Sequence, residues 1–234
     1  MFSKIDKINL TDKITRQMIS KVISGFLKPG DKLPPEREMA EQMAVNRHTL
    51  REALRKLEML ELVSARQGDG IYVLDYRDSG SIDLLKHILV STKERTSEII
   101  HDLLRIRTIV IPEMAATSAE KVTSEEINNI KNLLEDPSKS IIDRDFAIHN
   151  FIARTSGNIF FIILLNFFNE IFRPHAAVYF SYDENINSSA RFHKNIIDAL
   201  KRKDSRKARS IMSEALLYAE QQMINNMENG HEQS

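Results

Sequence analysis

Three arginines, Arg47, Arg51 and Arg55, recur every four residues in Asn46-Arg-His-Thr-Leu-Arg-Glu-Ala-Leu-Arg-Lys-Leu57. On a helix this spacing sets three guanidiniums along one side. A guanidinium fork fits two phosphate oxygens and equally the O6/N7 edge of guanine. A helix entering a major groove by its N-terminal end would therefore bring Arg47 to Arg51 nearest the bases. Arg37, earlier in the chain, can clamp a flanking base or phosphate. The competing reading is a solvated helix face whose arginines are balanced by Glu52 and Glu58.

A second constellation lies far downstream. Asp145 and His149 are four apart, so on one helix they face the same way and can bind one divalent cation, with His193 from a later helix completing the set. Zinc, nickel or manganese suits such donors, although helix-surface hydrogen bonding explains the same spacing. With an open coordination position this trio would also serve a metal-dependent enzyme. No Gly-rich phosphate loop, no His-Glu-x-x-His and no nucleophile with an assignable base accompanies it. The absence of Cys removes thiolate ligands, thiol nucleophiles and redox pairs.

The composition bounds the scaffold that must position these groups. Of 234 residues, 28% are charged and 42% hydrophobic, with seven Gly and six Pro, which excludes disulfide, collagenous and low-complexity chains. Lys+Arg and Asp+Glu balance at 33 each, so attraction to a polyanion must come from a local patch. Residues 1–78 hold 14 basic and 12 acidic side chains, so the charge asymmetry between the two parts is slight. The longest apolar run, Ile159 to Phe172, is broken by Asn166, Asn169 and Glu170. It falls short of the roughly 20 residues that cross a bilayer, which predicts a buried helix. Met1 is followed by Ser3, Lys4, Asp6 and Lys7 rather than an apolar leader, so a cytoplasmic chain is expected.

Strand and turn signals are confined to the first third. Thr11 is positioned to cap a helix carrying Ile14, Met18, Val22 and Ile23, with Gly25 as its stop. Pro34-Pro35 leads into a short acidic-headed helix at Glu36–Met43. Asn46 then caps a third helix that places Leu50, Ala53, Leu54, Leu57 and Leu60 on one face, opposite the arginines. Leu62–Arg66 and Ile71–Leu74 are β-rich runs joined by Gln67-Gly-Asp-Gly70, a hairpin wing.

Residues 77–81 have the small, polar composition of a linker, dividing a 1–76 domain from an 82–228 domain, with a disordered tail at 229–234. The second domain reads as helices at about 82–90, 97–120, 124–135, 141–154, 158–172, 188–202 and 205–227, an antiparallel bundle. Thr123-Ser-Glu-Glu126 is a capping box, Asn187 or Ser188 opens the penultimate helix, and Asp204 opens the last. Phe146, Phe151, Phe160, Phe161, Phe167, Phe168 and Phe172 are expected mostly in the core. His175 reads as a loop residue, and His87, His101 and His231 as surface residues.

The order Lys28-Pro-Gly-Asp-Lys-Leu-Pro-Pro-Glu-Arg-Glu-Met-Ala40, Val45-Asn-Arg-His-Thr-Leu-Arg-Glu-Ala-Leu-Arg-Lys-Leu57 and Gly68-Asp-Gly-Ile-Tyr-Val73 resembles the winged helix-turn-helix domain of the GntR family of bacterial transcription regulators. The resemblance implies that Arg37, Arg47 and Arg51 contact DNA, with Asn46, His48 and Thr49 beside them and Gly68 at the wing tip. Pro35 and Asn46 replace the family's usual hydroxyl residues. Asp69 stands where many members carry a basic or small residue, and its charge opposes phosphate.

The helical part resembles the FCD-type effector domain of the FadR subfamily. That resemblance implies a divalent metal held by Asp145, His149 and His193, with the family's fourth ligand position falling on Ala215, whose methyl group cannot coordinate. Water or an acidic effector would fill the vacancy, or the pocket works without metal, as in the acyl-binding branch. Arg107 matches an arginine that the subfamily points into this pocket, and Ile111 replaces the usual Glu beyond it.

The expectation is therefore a mainly α, two-domain homodimeric repressor that reads a near-palindromic double-stranded operator, one recognition helix per half-site. A small organic acid in the helical domain shifts its DNA affinity, and no membrane is involved. The alternatives are a metal-dependent enzyme built on Asp145, His149 and His193, and an interaction-only helical module.

Overall fold

A computed structural model describes residues 10–91 and 96–231 of the chain. The division between Ile99 and Ile100 separates two compact units.

The first unit contains α1 (Leu10–Ile23), α2 (Glu36–Gln42), α3 (Arg47–Met59), β1 (Val63–Arg66), β2 (Gly70–Val73), α4 (Tyr76–Ser79) and α5 (Ile82–Ser91). Helix α1 already includes Leu10 and Thr11, so Thr11 is not its cap; its carbonyl instead accepts from the Thr15 hydroxyl at 2.9 Å. Helix α3 packs on α1 and α2 through Leu50, Ala53, Leu54 and Leu57, all buried. Each buried leucine contributes about 1.5–3 kcal/mol relative to exposure. That burial fixes which side of α3 is left outside. Strands β1 and β2 pair antiparallel in the register Val63–Val73 to Arg66–Gly70, and Lys32 adds an isolated bridge to Tyr72.

The expected linker at 77–81 is instead partly helical and folded onto the first unit. Asp75 caps α4 by accepting from Arg77 N at 3.0 Å, and Ser79 Oγ donates to Glu61 O at 2.7 Å. Helix α5 packs on α1, and its Leu84 and Ile88 join the core of the first unit. Helix α5 is therefore packed with the first unit.

The second unit comprises α6 (Thr96–Lys121), α7 (Ser124–Glu135), α8 (Ile141–Thr155), α9 (Ile159–Phe172), a 3-10 turn (Arg173–His175), α10 (Ala176–Tyr179), α11 (Asp183–Lys201) and α12 (Ser205–His231). The Thr123–Glu126 capping box forms in both directions, and Asp204 caps α12 by accepting from Lys207 N at 2.9 Å. Helix α11 starts five residues before the expected 188, because Asp183 and Glu184 already suit its first turn. Ser188 and Ser189 are consequently interior helical residues. Helix α12 continues to His231, into the expected tail; residues 232–234 and the His231 side chain lie outside the described residues.

Helix α11 packs against α7, α8 and α12, while α9 packs on α8. Their seams bury Ile148, Ile152, Phe168, Ile196, Leu200 and Met212. Of the expected core phenylalanines, Phe146, Phe167, Phe168 and Phe172 are buried, Phe151 and Phe161 half-buried, and Phe160 is 77% exposed. Helix α9 is apolar all round, so periodicity alone does not rank its faces. The stretch Ile159–Tyr179 reaches membrane-span length and composition, exceeding the expected run because the 3-10 turn and α10 follow α9 without a break. Leu165, Phe167, Phe168 and Phe172 on it are nevertheless buried against the fold.

Candidate functional sites

The first site is the outer face of α3. Asn46 caps the helix by accepting from Thr49 N at 2.8 Å, which fixes the first turn and the residues that project from it. Arg47, His48, Arg51 and Arg55 are exposed, while Thr49 is half-buried. Arg51 Nε lies 2.6 Å from Glu36 Oε2, Arg55 Nη1 lies 2.8 Å from Glu52 Oε1, and Arg37 Nε lies 3.0 Å from Glu41 Oε1. Arg47 has no such partner among the described residues. The predicted stripe is therefore assembled, with two of its three arginines, and Arg37 on α2 beside them, resting on carboxylates that a phosphate or base must displace.

The wing completes this unit. Gly68 adopts φ +75° at its tip, a left-handed conformation that an L side chain rarely takes. At Gly70, an added Cβ would stand 2.8 Å from Lys32 Cε, so the missing side chain leaves the path along which Lys32 lies. Asp69 is not the free negative charge that the sequence suggested. Lys32 Nζ lies 2.7 Å from its Oδ1 and the Tyr72 hydroxyl donates to its Oδ2 at 2.8 Å. Those bonds hold the Asp69 carboxyl below the usual carboxylate range and raise Lys32. Arg66 stacks over the Tyr72 ring at 4.2 Å, so the wing presents Lys32 and Arg66 around one aromatic ring.

The second site is a cavity in the helical unit. Arg107 from α6, Asp145 and His149 from α8, Ser189 and Phe192 from α11, and Ala215 from α12 line it. The Ser189 hydroxyl donates to Asp145 Oδ1 at 2.6 Å, and His193 Nε2 lies 3.1 Å from both atoms. At half-buried Asp145 desolvation alone would raise the carboxyl, but the His193 hydrogen bond, the neighbouring imidazoles and the Ser189 hydroxyl together hold it below its ordinary value. His149 stacks on Phe192, ring centroids 5.3 Å apart, with its Nδ1 buried and unpartnered. Burial pushes its imidazole down to about 4, so it is neutral at neutral pH. The Arg107 guanidinium lies 4.9 Å from the Phe172 ring centroid, without a close ion pair or hydrogen bond among the described residues; burial lowers its value, and the charges of Asp145 and Glu220 oppose that.

Asp145, His149 and His193 thus come together, but not as a metal cage. His193 Nε2 is engaged by Asp145 and Ser189. His149 Nε2 is 3.9 Å from Asp145 Oδ2, and its Nδ1 lacks the outer partner that orients a ligating histidine. Ala215 supplies no fourth donor, and the Arg107 charge faces the same space. Among the described residues no group of three or more His, Cys, Asp or Glu side chains is placed to hold a metal ion. The residues present do not fit the divalent ion that the resemblance implied.

Ser189 is the residue that sequence reasoning missed here. Its spacing of four before His193 repeats that of Asp145 and His149, a signal obscured by treating Ser188 as a helix start. Tyr179 was missed because the short α10 has no periodicity to detect. Its backbone carbonyl accepts from Asn185 Nδ2 at 2.8 Å, and Asn185 is in turn bonded by the Tyr218 hydroxyl at 3.0 Å. His175 is exposed at the mouth of a neighbouring apolar cavity, His101 is exposed and His87 half-buried.

A winged helix-turn-helix with an arginine-lined recognition helix, joined to a helical unit enclosing a cavity, defines a DNA-binding regulator with an effector domain. Residues 10–73 match the family described as bacterial regulatory proteins, gntR family, and residues 75–229 match the FadR C-terminal domain. The chain belongs to the GntR family of transcription regulators, with a FadR-type C-terminal domain. These families are regulators rather than enzymes, so the metal-dependent enzyme is not favoured.

Among relatives, the HTH-type transcriptional regulator Mce2R of Mycobacterium tuberculosis is 28% identical over 184 residues, covering 74% of each chain. A fatty acid metabolism regulator protein of Shewanella sp. (strain ANA-3) is 29% identical over 170 residues, covering 72% of this chain and 70% of its own. YcbG of Bacillus subtilis, an uncharacterized HTH-type transcriptional regulator, is 25% identical over 234 residues, covering 96% of both. The fold is shared with Lar, described as controlling expression of the Listeria monocytogenes agr system, at a TM-score of 0.51, 16% identity and coverage of 94% and 98%.

Proposed function

We propose that this regulator is a cytoplasmic homodimeric repressor whose affinity for a near-palindromic operator is lowered by a small organic acid in the helical cavity. The observation that carries the effector reading is Arg107, a guanidinium against an aromatic ring in a cavity, with no close ion pair among the described residues and only the more distant charges of Asp145 and Glu220 to balance it. An unpaired cation in such surroundings gains most from a charge-assisted bond to a carboxylate. On the DNA side, Arg47 and Arg51 read bases from the first turns of α3, Arg37 and the wing grip the backbone, and Asn46 holds the helix start. Two-fold symmetry of a dimer places two such helices on successive major grooves. An effector acts only by binding the two arrangements of the dimer with different affinity.

The test is selection from random duplexes by purified protein, followed by anisotropy titration of the enriched sequence with and without candidate acids. An enriched inverted repeat whose affinity falls on adding an acid is expected. No enriched sequence, together with no duplex binding at low salt, rejects the reading.

A further inference from the structure

We propose that a second cavity of the helical unit, walled by α7, α8 and α11, is a binding site for a small organic phosphate. It is separate from the effector cavity and stands independently of the reading above.

This second cavity has a volume of about 450 Å³, and no residue lines both it and the chamber around Arg107. A space of that size accepts a small metabolite. Helix α11 lends it Lys194, Ile197 and Lys201, whose spacings of three and four set them on one face. Helix α7 adds Lys131 and Leu134, and α8 adds Ile141 and Arg144. His193 also belongs to this lining, although its Nε2 is engaged by Asp145 and Ser189 of the other cavity.

The charges of the lining select an anion. Four cations, Lys131, Arg144, Lys194 and Lys201, stand with two carboxylates, Glu135 and Asp198. Lys131 Nζ lies 3.5 Å from Glu135 Oε1, so this pair neutralises itself. That leaves Asp198 as the remaining carboxylate of the lining against Lys194 and Lys201. Asp136 offsets part of the Arg144 charge, but its carboxylate is already bonded by the Ser138 amide at 2.9 Å. A positive surplus therefore remains, drawn from two different helices.

Arg144 favours phosphate over carboxylate as the anion. Its Nη2 donates to Asp136 O at 2.8 Å, which anchors the guanidinium, while its Nε is buried without a hydrogen-bond partner. A buried N–H without an acceptor is unfavourable, and an anionic oxygen seated beside the fork relieves it. A phosphate monoester offers three acceptor oxygens and about −1.5 to −2 charges near neutral pH. It can therefore meet the guanidinium and both α11 ammoniums together, whereas two carboxylate oxygens are used up on one fork. The organic part of the ligand has half-buried Leu134 and Ile141 and buried Ile197 to rest on.

Calorimetry on the full chain in phosphate-free, low-salt buffer tests this with phenyl phosphate, inorganic phosphate and benzoate as probes. Phenyl phosphate is expected to bind once per chain and more tightly than inorganic phosphate, and benzoate is expected not to displace it. Lys194→Gln and Lys201→Gln, both at exposed positions, should each weaken phenyl phosphate about twofold to fivefold. Arg144→Met should weaken it about tenfold to a hundredfold, and Arg107→Met should leave it unchanged. Thermal melting checks that each variant folds, and the lysine variants carry the test if loss of the Arg144–Asp136 bond unfolds the chain. No binding of phenyl phosphate, binding lost in Arg107→Met but indifferent to both lysine changes, or inorganic phosphate bound as tightly as phenyl phosphate would overturn the proposal. So would a loss of operator affinity in the lysine variants without any added phosphate, which assigns these cations to the DNA backbone.

Discussion

Glu36 at the start of α2 holds Arg51 of α3 at 2.6 Å, so the carboxylate that opens one helix sets the rotamer of an arginine on the next. The pair is exposed, with side-chain accessibilities of 59% for Arg51 and 33% for Glu36, so it adds little to stability. Its consequence is positional, because a pre-set guanidinium loses less freedom on meeting a guanine. Glu36→Gln is expected to raise affinity for random duplex more than for operator, narrowing the specificity ratio measured by competition anisotropy. An unchanged ratio would mean that Arg51 contacts phosphate alone.

Arg47 and Arg51 stand at the N-terminal end of α3, where base edges are reached first. Arg47→Ala or Arg51→Ala should each cost about 1–3 kcal/mol of operator binding if a bidentate base contact is lost. Equal loss on operator and random duplex assigns the residue to the backbone instead.

Asp69 occupies Lys32 and Tyr72 on the wing. Asp69→Asn frees the lysine and removes a negative charge near phosphate. The expected outcome is a steeper dependence of log Kobs on log salt, by about one phosphate contact, with little change in thermal stability. A slope no steeper than that of the unmodified protein would show that Lys32 stays away from DNA.

The Asn46 side chain satisfies a backbone amide that α3 cannot bond internally. Asn46→Ala should reduce unfolding free energy by about 1 kcal/mol, read from the urea midpoint, and weaken operator binding through fraying of the first turn.

His149 is folded as a neutral imidazole, its value pushed down by burial to about 4, whereas an unfolded histidine titrates near 6.5. Between these values the unfolded chain binds more protons, so stability falls as pH drops from about 6.5 toward 4. In His149→Leu this part of the acid destabilisation should disappear, and urea midpoints at about pH 7 and about pH 5 should differ less than in the unmodified protein. Parallel losses in both proteins would place the acid sensitivity in other groups.

Much of the first unit was legible in the chain itself. The Leu50, Leu54 and Leu57 spacing fixes which face of α3 is buried, and that leaves Arg47, Arg51 and Arg55 outside. Asn46 and the glycines of the wing announce a helix start and a hairpin through local backbone chemistry alone. Glu52, named in the chain as a balancing charge, does pair with Arg55, but Glu36 as the partner of Arg51 and Lys32 as the partner of Asp69 were not legible, being fifteen and thirty-seven residues away.

The amino-acid sequence by itself determined the order of elements, the cationic recognition face and the Asp145–His149 pair, because each rests on helical periodicity or on short-range turn and cap chemistry; His193 joins that pair from 48 residues away only through folding. Tertiary structure decided what that conjunction is. Whether a carboxylate and two imidazoles ligate a cation or bond one another depends on the neighbours that folding delivers. Here Ser189 closes the group, Ala215 withholds a donor, and Arg107 brings a positive charge from another helix. Such long-range juxtapositions set solvation and field, which no local pattern encodes.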